Sequence, residues 1–275
     1  MKKTIAVIMT VHNRKDTTIR SLSRLFSNKG IESYTLKVYM VDDGSTDGTS
    51  EEVALLYPLV KVIHGSGSLF WNRGMYLCWK EASKKYHNYY LWLNDDTELY
   101  DDAISRLLKT SMKYKDMSII VGSTHSRTKP EELTYGGVDK DNNRLLGIEQ
   151  EQECYTFNGN VVLIPSAVFE VVGLNDPLFH HGAGDYDYGI RAHLNGFTNI
   201  VAKGYYGVCE RHDELQKWQN PEVSVFYRLK YLFSLNGQTN PGDVFRYNLR
   251  YKGLFYAVKY FMICLFRVFF PKVFL

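Results

Sequence analysis

Acidic residues recur in this sequence at the ends of apolar runs, where side chains are free to do chemistry. Asp42 and Asp43 stand in Val41-Asp42-Asp43-Gly44-Ser45-Thr46-Asp47-Gly48-Thr49, and Asp95 and Asp96 in Leu93-Asn94-Asp95-Asp96-Thr97-Glu98. Asp185 stands in Gly184-Asp185-Tyr186-Asp187-Tyr188-Gly189-Ile190-Arg191. A carboxylate beside Gly44 can accept hydrogen bonds from a base N–H or from ribose hydroxyls, while the glycine lets backbone approach a ligand. The same residues are also turn and cap chemistry. Adjacent carboxylates such as Asp95 and Asp96 repel each other, and a divalent cation is their natural compensation. Mg2+ or Mn2+ held by one or two carboxylates would in turn hold a diphosphate. Plain solvation ahead of a helix at Asp102 would also serve the pair. Asp185 could take a proton from an incoming hydroxyl, and it is equally acceptable as a helix N-cap with Asp187 as a first-turn acid.

The elements that must position these residues alternate in type. Up to about Lys115, short β-rich runs alternate with amphipathic helical stretches, the pattern of a parallel α/β sheet. Thr4 to Met9 and Leu36 to Val41 are dominated by apolar, branched and aromatic residues, as strands buried on both faces should be. Val60 to Ile63, Tyr89 to Leu93 and Ser118 to Val121 continue the series. Asp16 is placed to cap a helix carrying Ile19, Leu22, Leu25 and Phe26 at helical spacing, with Gly30 as its stop. Further helices are expected over Asn72 to Tyr86 and Asp102 to Lys113. After Gly122 the sequence becomes turn-rich and predicts loops and antiparallel strands over the working edge of the sheet. Asn160 to Ile164 reads as a returning core strand, and Ser166 to Val172 and Tyr186 to Leu194 as short helices. In an open α/β sheet, ligands bind beyond the carboxyl ends of the strands, which is where the first acidic clusters fall.

Composition narrows the function classes. The 275 residues carry a net charge of +3, too balanced for a dedicated nucleic-acid binder. Cys78, Cys154, Cys209 and Cys264 form no CxxC pair, so neither a zinc site nor a disulfide framework is indicated, and buried thiols in a reducing cytosol are expected. Lys2 and Lys3 resemble the start of a signal peptide, but the apolar run that follows is short and leads into His12-Asn13-Arg14, which predicts a first strand. No G-x-G-x-x-G follows that strand, which argues against a dinucleotide-dependent oxidoreductase. A sugar nucleotidyltransferase would need a glycine- and lysine-rich phosphate loop there, where only Arg14 and Lys15 stand.

Taken together and in this order, VDDGSTDGT, LNDDTEL and GDYDYGIRAHLNGF resemble the glycosyltransferases of family 2, over roughly residues 4 to 235. The resemblance implies a GT-A fold: a mostly parallel central sheet flanked by helices, forming a domain of residues 1–235, with a helical extension over 236–275. It implies an inverting, metal-dependent transfer of a sugar from a UDP- or dTDP-sugar to a hydroxyl. By the same resemblance Thr10, His12 and Arg14 face the nucleotide, and Asp43, with Asp42 beside it, binds the base or ribose. Asn72 and Arg73 become donor contacts because Gly65-Ser66-Gly67 and Trp71-Asn72-Arg73-Gly74 match the family's donor stretch. Asp96 becomes the carboxylate for Mn2+ or Mg2+, and Asp95 its ribose-facing neighbour, although Asn94-Asp95-Asp96-Thr97 departs from strict D-X-D. Asp185 aligns with the catalytic base, with Gly184 where an acid is common, and Arg191 would orient Asp187 or hold the loop. Asn158, Gly159 and His181 are acceptor-side candidates. His212, after the last sheet strand, is a candidate metal ligand or a structural histidine.

The end of the chain poses a separate question. From Phe245 onward Arg246, Arg250, Lys252, Lys259, Arg267 and Lys272 meet no acidic residue. Lys259 and Arg267 interrupt the apolar run, so an interfacial, basic, aromatic-rich helix is expected rather than a spanning one. Its apolar face would lie on a membrane surface, or else pack on the domain or on a second subunit, as in a homodimer. The membrane reading implies a cytoplasmic protein held at the inner face of the cell membrane, with a lipid-linked glycan acceptor, as in bacterial surface polysaccharide synthesis. A degenerate transferase domain serving as a membrane-associated binding partner is the non-enzymatic alternative.

Overall fold

The computed structural model describes residues 2–145, 147, 149–211, 217–234 and 240–273. In chain order it forms β1 (Lys3–Val11), α1 (Lys15–Phe26), β2 (Tyr34–Asp42), α2 (Thr49–Leu56), β3 (Lys61–His64), α3 (Phe70–Ala82) and β4 (Tyr89–Leu93). Next come β5 (Glu98–Leu99), α4 (Ala103–Lys113), β6 (Ser118–His125), β7 (Leu133–Tyr135), β8 (Gly137–Val138), β9 (Gln152–Cys154) and β10 (Thr156–Phe157). The chain continues through β11 (Val161–Pro165), α5 (Ser166–Val172), α6 (Gly184–Leu194) and β12 (Thr198–Val208). It closes with α7 (Val225–Leu232), α8 (Pro241–Tyr251), α9 (Leu254–Phe269) and a 3-10 turn at Pro271–Val273.

The main sheet runs β3-β2-β1-β4-β11-β6-β12-β5, with β7 beside β6 and β9 beside β12. β3, β2, β1 and β4 are parallel, as the alternation predicts. β11 enters antiparallel between β4 and β6, and β12 lies parallel to β6. Register then aligns the chemistry. Val11 pairs with Asp42, and the Asp43 N–H donates to the Val11 carbonyl at 2.9 Å. Val161 pairs with Leu93, which sets Asn94 against Asn160 through a 3.0 Å backbone bond. Asp43 and Asp95 therefore leave the sheet along the same edge.

The apolar strands are buried on both faces because their side chains alternate between two cores. Ile5, Val7 and Met9 of β1 face a core with Leu22 and Leu25 of α1, while Ala6 and Ile8 face the other with Met75 and Trp79 of α3. The second core is rich in rings. Trp79 lies edge-on to Trp92 at 5.3 Å, and Tyr188 of α6 sits 5.2 Å from both. Tyr188 thus ties the helix that carries Asp185 to the strand that carries Asp95.

Several local expectations change in detail. Asp16 lies in the first turn of α1, whose N-cap position is Arg14, so its contribution is electrostatic rather than a cap bond. That helix ends at Phe26, before Gly30, whose positive φ turns the chain toward β2. Helix α3 starts earlier and stops earlier than periodicity indicates, because Asn88 must already pair with Thr4 to begin β4. The basic tail is two helices rather than one. Gly253, with φ near 87°, breaks it after Lys252. A third, small core of Trp218, Leu232, Cys264 and Val268 holds α7 and α9 together. No helix among the described residues is long and apolar enough to cross a membrane.

Candidate active site

Two adjoining hollows open at the carboxyl edge of β1, β2 and β4. One, of roughly 400 Å3, is lined by Thr10, His12, Asp43, Gly67 and Phe70. The other, of roughly 450 Å3, is lined by Asn94, Asp96, Tyr135, Arg144, Asn158, Gly159, Asn160, Asp185, Tyr186 and Arg211. Arg14, Trp71, Asp95 and His181 line both, so the two form one cleft.

Asp95 and Asp96 lie in the turn after β4. Arg14, at the start of α1, reaches Asp96 Oδ2 at 2.7 Å and Asp95 Oδ1 at 3.4 Å. Asp95 is 7% exposed, and its Oδ2 is buried without a hydrogen-bond partner. Burial first, then repulsion from Asp96, push the Asp95 carboxyl well above the ordinary range, and Arg14 offsets this only in part. The Cys209 thiol donates toward Asp96 Oδ1 at 3.4 Å. Among the described residues no group of three or more His, Cys, Asp or Glu side chains is arranged to hold an ion, and His212 lies outside them. The adjacent carboxylates and the orphaned Asp95 oxygen nonetheless fit a divalent cation, which would supply the charge that Asp95 lacks.

The acids of the β2 turn are committed differently. Asp43 lies in the wall of the first hollow, but its Oδ1 accepts the Gly67 N–H at 2.7 Å and its Oδ2 those of Leu69 and Phe70 at 2.7 and 3.0 Å. It closes the turn into α3. Asp42 accepts the Ser45 N–H at 2.8 Å and the Ser50 hydroxyl and does not line the cleft, so here the turn chemistry prevails. His12 bonds through Nδ1 to the Asp43 carbonyl at 2.7 Å.

Asp185 is half-buried in the first turn of α6. The cap position is Ala183. Its Oδ2 accepts the Gly159 N–H at 3.0 Å and its Oδ1 the Tyr186 N–H at 2.9 Å. Burial outweighs these bonds and raises the carboxyl to about 6. His181 accepts the Trp71 N–H at Nδ1, at 3.4 Å. Burial and then Arg14 lower its basicity, so the neutral ring carries its proton on Nε2.

Asn72 and Arg73 do not line the cleft. Asn72 is fully buried and donates to the Asp176 and Phe179 carbonyls at 2.8 and 2.9 Å, while Arg73 Nε donates to the Pro177 carbonyl at 3.0 Å. Both hold the loop that leads to Asp185. Their neighbour Trp71 faces the cleft instead, its Nε1 donating to Asn94 Oδ1 at 2.8 Å. The same packing accounts for Gly184, because a Cβ there would lie 1.9 Å from Asn72 Oδ1. Arg191 plays both roles expected of it: Nε pairs with Asp187 at 2.7 Å, and its other nitrogens donate to the Val172 and Leu174 carbonyls. Besides Trp71, the sequence reading did not single out Phe70, Tyr135, Arg144, Tyr186 or Arg211 as cleft residues. Phe70 and Tyr186 lie in the first turns of α3 and α6, Tyr135 ends the short β7, and Arg144 and Arg211 lie outside helices and strands, positions where no periodicity signals direction.

The family model for glycosyl transferase family 2 matches residues 6–168, more than half of the chain. The chain belongs to glycosyl transferase family 2. No curated protein matches it in sequence. Among solved structures, this family 2 chain is similar to the mannosyltransferase PcManGT from Pyrobaculum calidifontis, determined with GDP-Man and Mn2+. The TM-score is 0.59 at 15% identity, over 98% of this chain and 74% of that one. TarS 1-349 from S. aureus superposes with a TM-score of 0.56 at 14% identity, covering 92% of this chain and 73% of that one. GalNAc-T7, determined with UDP, GalNAc and Mn2+, gives 0.58 at 13% identity over 90% of this chain and 51% of that one. At these identities the neighbours establish the GT-A fold of this family 2 chain, a glycosyltransferase. The family match ends before Asp185, so the helix that carries it rests on the structure.

Removing the buried charge should relieve the site. Because the folded-state pKa of Asp95 is raised above its unfolded value, its contribution to stability is largest in acid and declines as pH rises through the folded value. Asp95→Asn is therefore expected to raise the melting temperature at pH 8 without divalent ion, and to change it little at pH 4. Thermal melts at both pH values check this, and a lower melting temperature at pH 8 refutes it.

Proposed function

We propose that this glycosyltransferase moves a hexosyl group from a nucleotide-sugar, UDP- or dTDP-linked, onto an acceptor hydroxyl with inversion. The observation that carries the reading is the single cleft in which Asp95, His181 and Asp185 share walls. The nucleotide would occupy the hollow of Thr10, His12 and Asp43, with Arg14 toward the diphosphate. Asp96 and Asp95 would hold Mn2+ or Mg2+, which when bound offsets charge on the leaving diphosphate. Trp71, fixed by its bond to Asn94, offers a flat apolar wall for a ring.

On the other side Asn158, Gly159 and His181 would receive the acceptor. Asp185 accepts two backbone N–H bonds that aim its carboxylate, and it would take the hydroxyl proton as the oxygen attacks the anomeric carbon. One displacement inverts the configuration, and no second carboxylate nucleophile is required. A carboxyl raised to about 6 is a stronger base than an ordinary aspartate yet ionised at neutral pH.

The tail supports a place at the inner face of the membrane, with a lipid-linked glycan as acceptor in surface polysaccharide synthesis. Helix α9 exposes Phe255, Met262, Phe266 and Phe269. Along the sequence Lys252, Lys259, Arg267 and Lys272 alternate with these residues, and no acid stands among them. Apolar side chains amid basic ones match an anionic bilayer surface.

Calorimetry with UDP, GDP and dTDP should detect binding that needs Mn2+ or Mg2+ and weakens at least about tenfold in Asp96→Ala, the loss of a charge-assisted ligand. Metal-indifferent binding would remove the carboxylate pair from this role. Asp185→Asn should retain that binding and lose transfer by about two to four orders of magnitude. In the wild type, transfer should rise with pH through about 6 and then level, as the base loses its proton. A fully active Asp185→Asn would eliminate it as base. Sedimentation with phosphatidylglycerol vesicles should capture the chain at low salt and release it at high salt or in Lys259→Glu, and equal capture by phosphatidylcholine alone would count against the basic face.

A further inference from the structure

Among the described residues, the hydrogen bonds that α8 makes toward the sheet domain fall on one segment, the loop and helix start that carry His181 and Asp185. Asp243 accepts the His180 N–H at 2.9 Å and pairs with His180 Nδ1 at 2.9 Å, and Arg246 supports it at 3.1 Å. Seven residues on, about two helical turns and so on the same face, Arg250 spans the two ends of the segment. One guanidinium nitrogen meets Asp176 at 2.7 Å and the other meets Asp187. Tyr251 adds a 2.6 Å bond to Asp187. Asp187 is fully buried and Asp243 is 4% exposed.

We propose that Asp243 and Arg250 are positioning residues of the transferase: α8 clamps the segment 176–187 so that His181 and Asp185 face the cleft. The working unit then extends through residue 251 rather than ending near 235. The proposal rests on the reading of Asp185 as base. Merely attaching the tail would call for apolar contacts, since buried ion pairs add little net stability over well-packed apolar groups. What they do impose is direction. Arg250 fixes the separation of Asp176 and Asp187, and Asp243 holds His180, the residue next to His181. Without the clamp, Asn72 and Arg73 would still hold the loop at Asp176, Pro177 and Phe179. The stretch beyond Phe179 would lose its outer support.

The test uses the full chain and its Asp243→Asn, Arg250→Met, Arg250→Lys and doubly substituted (Asp243→Asn with Arg250→Met) forms. Hydrogen exchange, which needs no substrate, should show the amides of 180–184 exchanging about tenfold faster in the first two, well below their melting temperatures. With whichever UDP-, GDP- or dTDP-sugar the wild type hydrolyses, kcat should fall about ten- to a hundredfold while KM stays within about threefold, the pattern of a misplaced group rather than a lost contact. The double variant should be no slower than the slower single one, because both act on one segment. Arg250→Lys, which can reach one carboxylate but not both, should fall between. Unchanged exchange at 180–184, or faster exchange with kcat intact, would overturn the clamp. Should one variant fail to fold, the other decides. A wild type that binds no nucleoside diphosphate overturns the transferase reading instead, and the exchange result still shows whether α8 holds the segment.

Discussion

The site depends on two carboxylates held closer together, and drier, than their charges favour. Asp95 and Asp96 are adjacent in the turn after β4, and the parallel pairing of β1 with β4 brings Arg14 against them. Asp95 keeps one buried oxygen unsatisfied. Arg14 offsets the burial of Asp95 only in part, so that carboxyl retains an attraction for further positive charge. Leaving a buried polar group short of partners is costly in a folded protein. Such a cost is commonest where a ligand completes the set.

A second constraint makes the cleft rigid across its width. Tyr188 stands among Trp79 and Trp92, so α6 cannot shift without disturbing the aromatic core beneath β4. Asn72 fills the space beside Gly184 and donates to the loop before it, which sets the start of α6 against α3. The distance from the Asp95 turn to Asp185 is thus set by close-packed rings and one buried amide. The in-line displacement proposed above needs such fixed spacing, because its acceptor oxygen and leaving group lie on opposite sides of one carbon.

Much of this was legible from residue order, and the exceptions share a cause. The parallel strands follow from apolar runs with no polar face, and the edge they present follows from the polar residues after them. The stretch Trp71-Asn72-Arg73-Gly74 reaches the cleft, yet the residue that lines it is Trp71. Direction within the first turn of a helix depends on where that helix starts, and α3 starts at Phe70, with positive φ, rather than at Asn72. The tail was legible in its charge and its aromatic content but not in its docking. The matches of Asp243 to His180 and of Arg250 to Asp176 and Asp187 join residues about sixty or more positions apart, and no local pattern encodes them.

The acids themselves separate by where they stand and by what the fold sets against them. Both oxygens of Asp42 and of Asp43 are met by N–H or O–H donors from the β2 turn, the start of α2 and the turn into α3, and Asp187 is met by Arg191, Arg250 and Tyr251. These hold the chain in place. Asp95 and Asp185 differ in their outcome: Asp95 has an orphaned oxygen, Asp185 has one backbone N–H on each oxygen that burial outweighs, and both are pushed toward the protonated form at the wall of the cleft. A buried carboxylate pushed toward its protonated form at a cleft wall gains from a cation or from a proton, the two roles proposed above for Asp95 and Asp185. The sequence presents all five as similar Asp residues at element ends; their difference lies in the donors the fold brings to them.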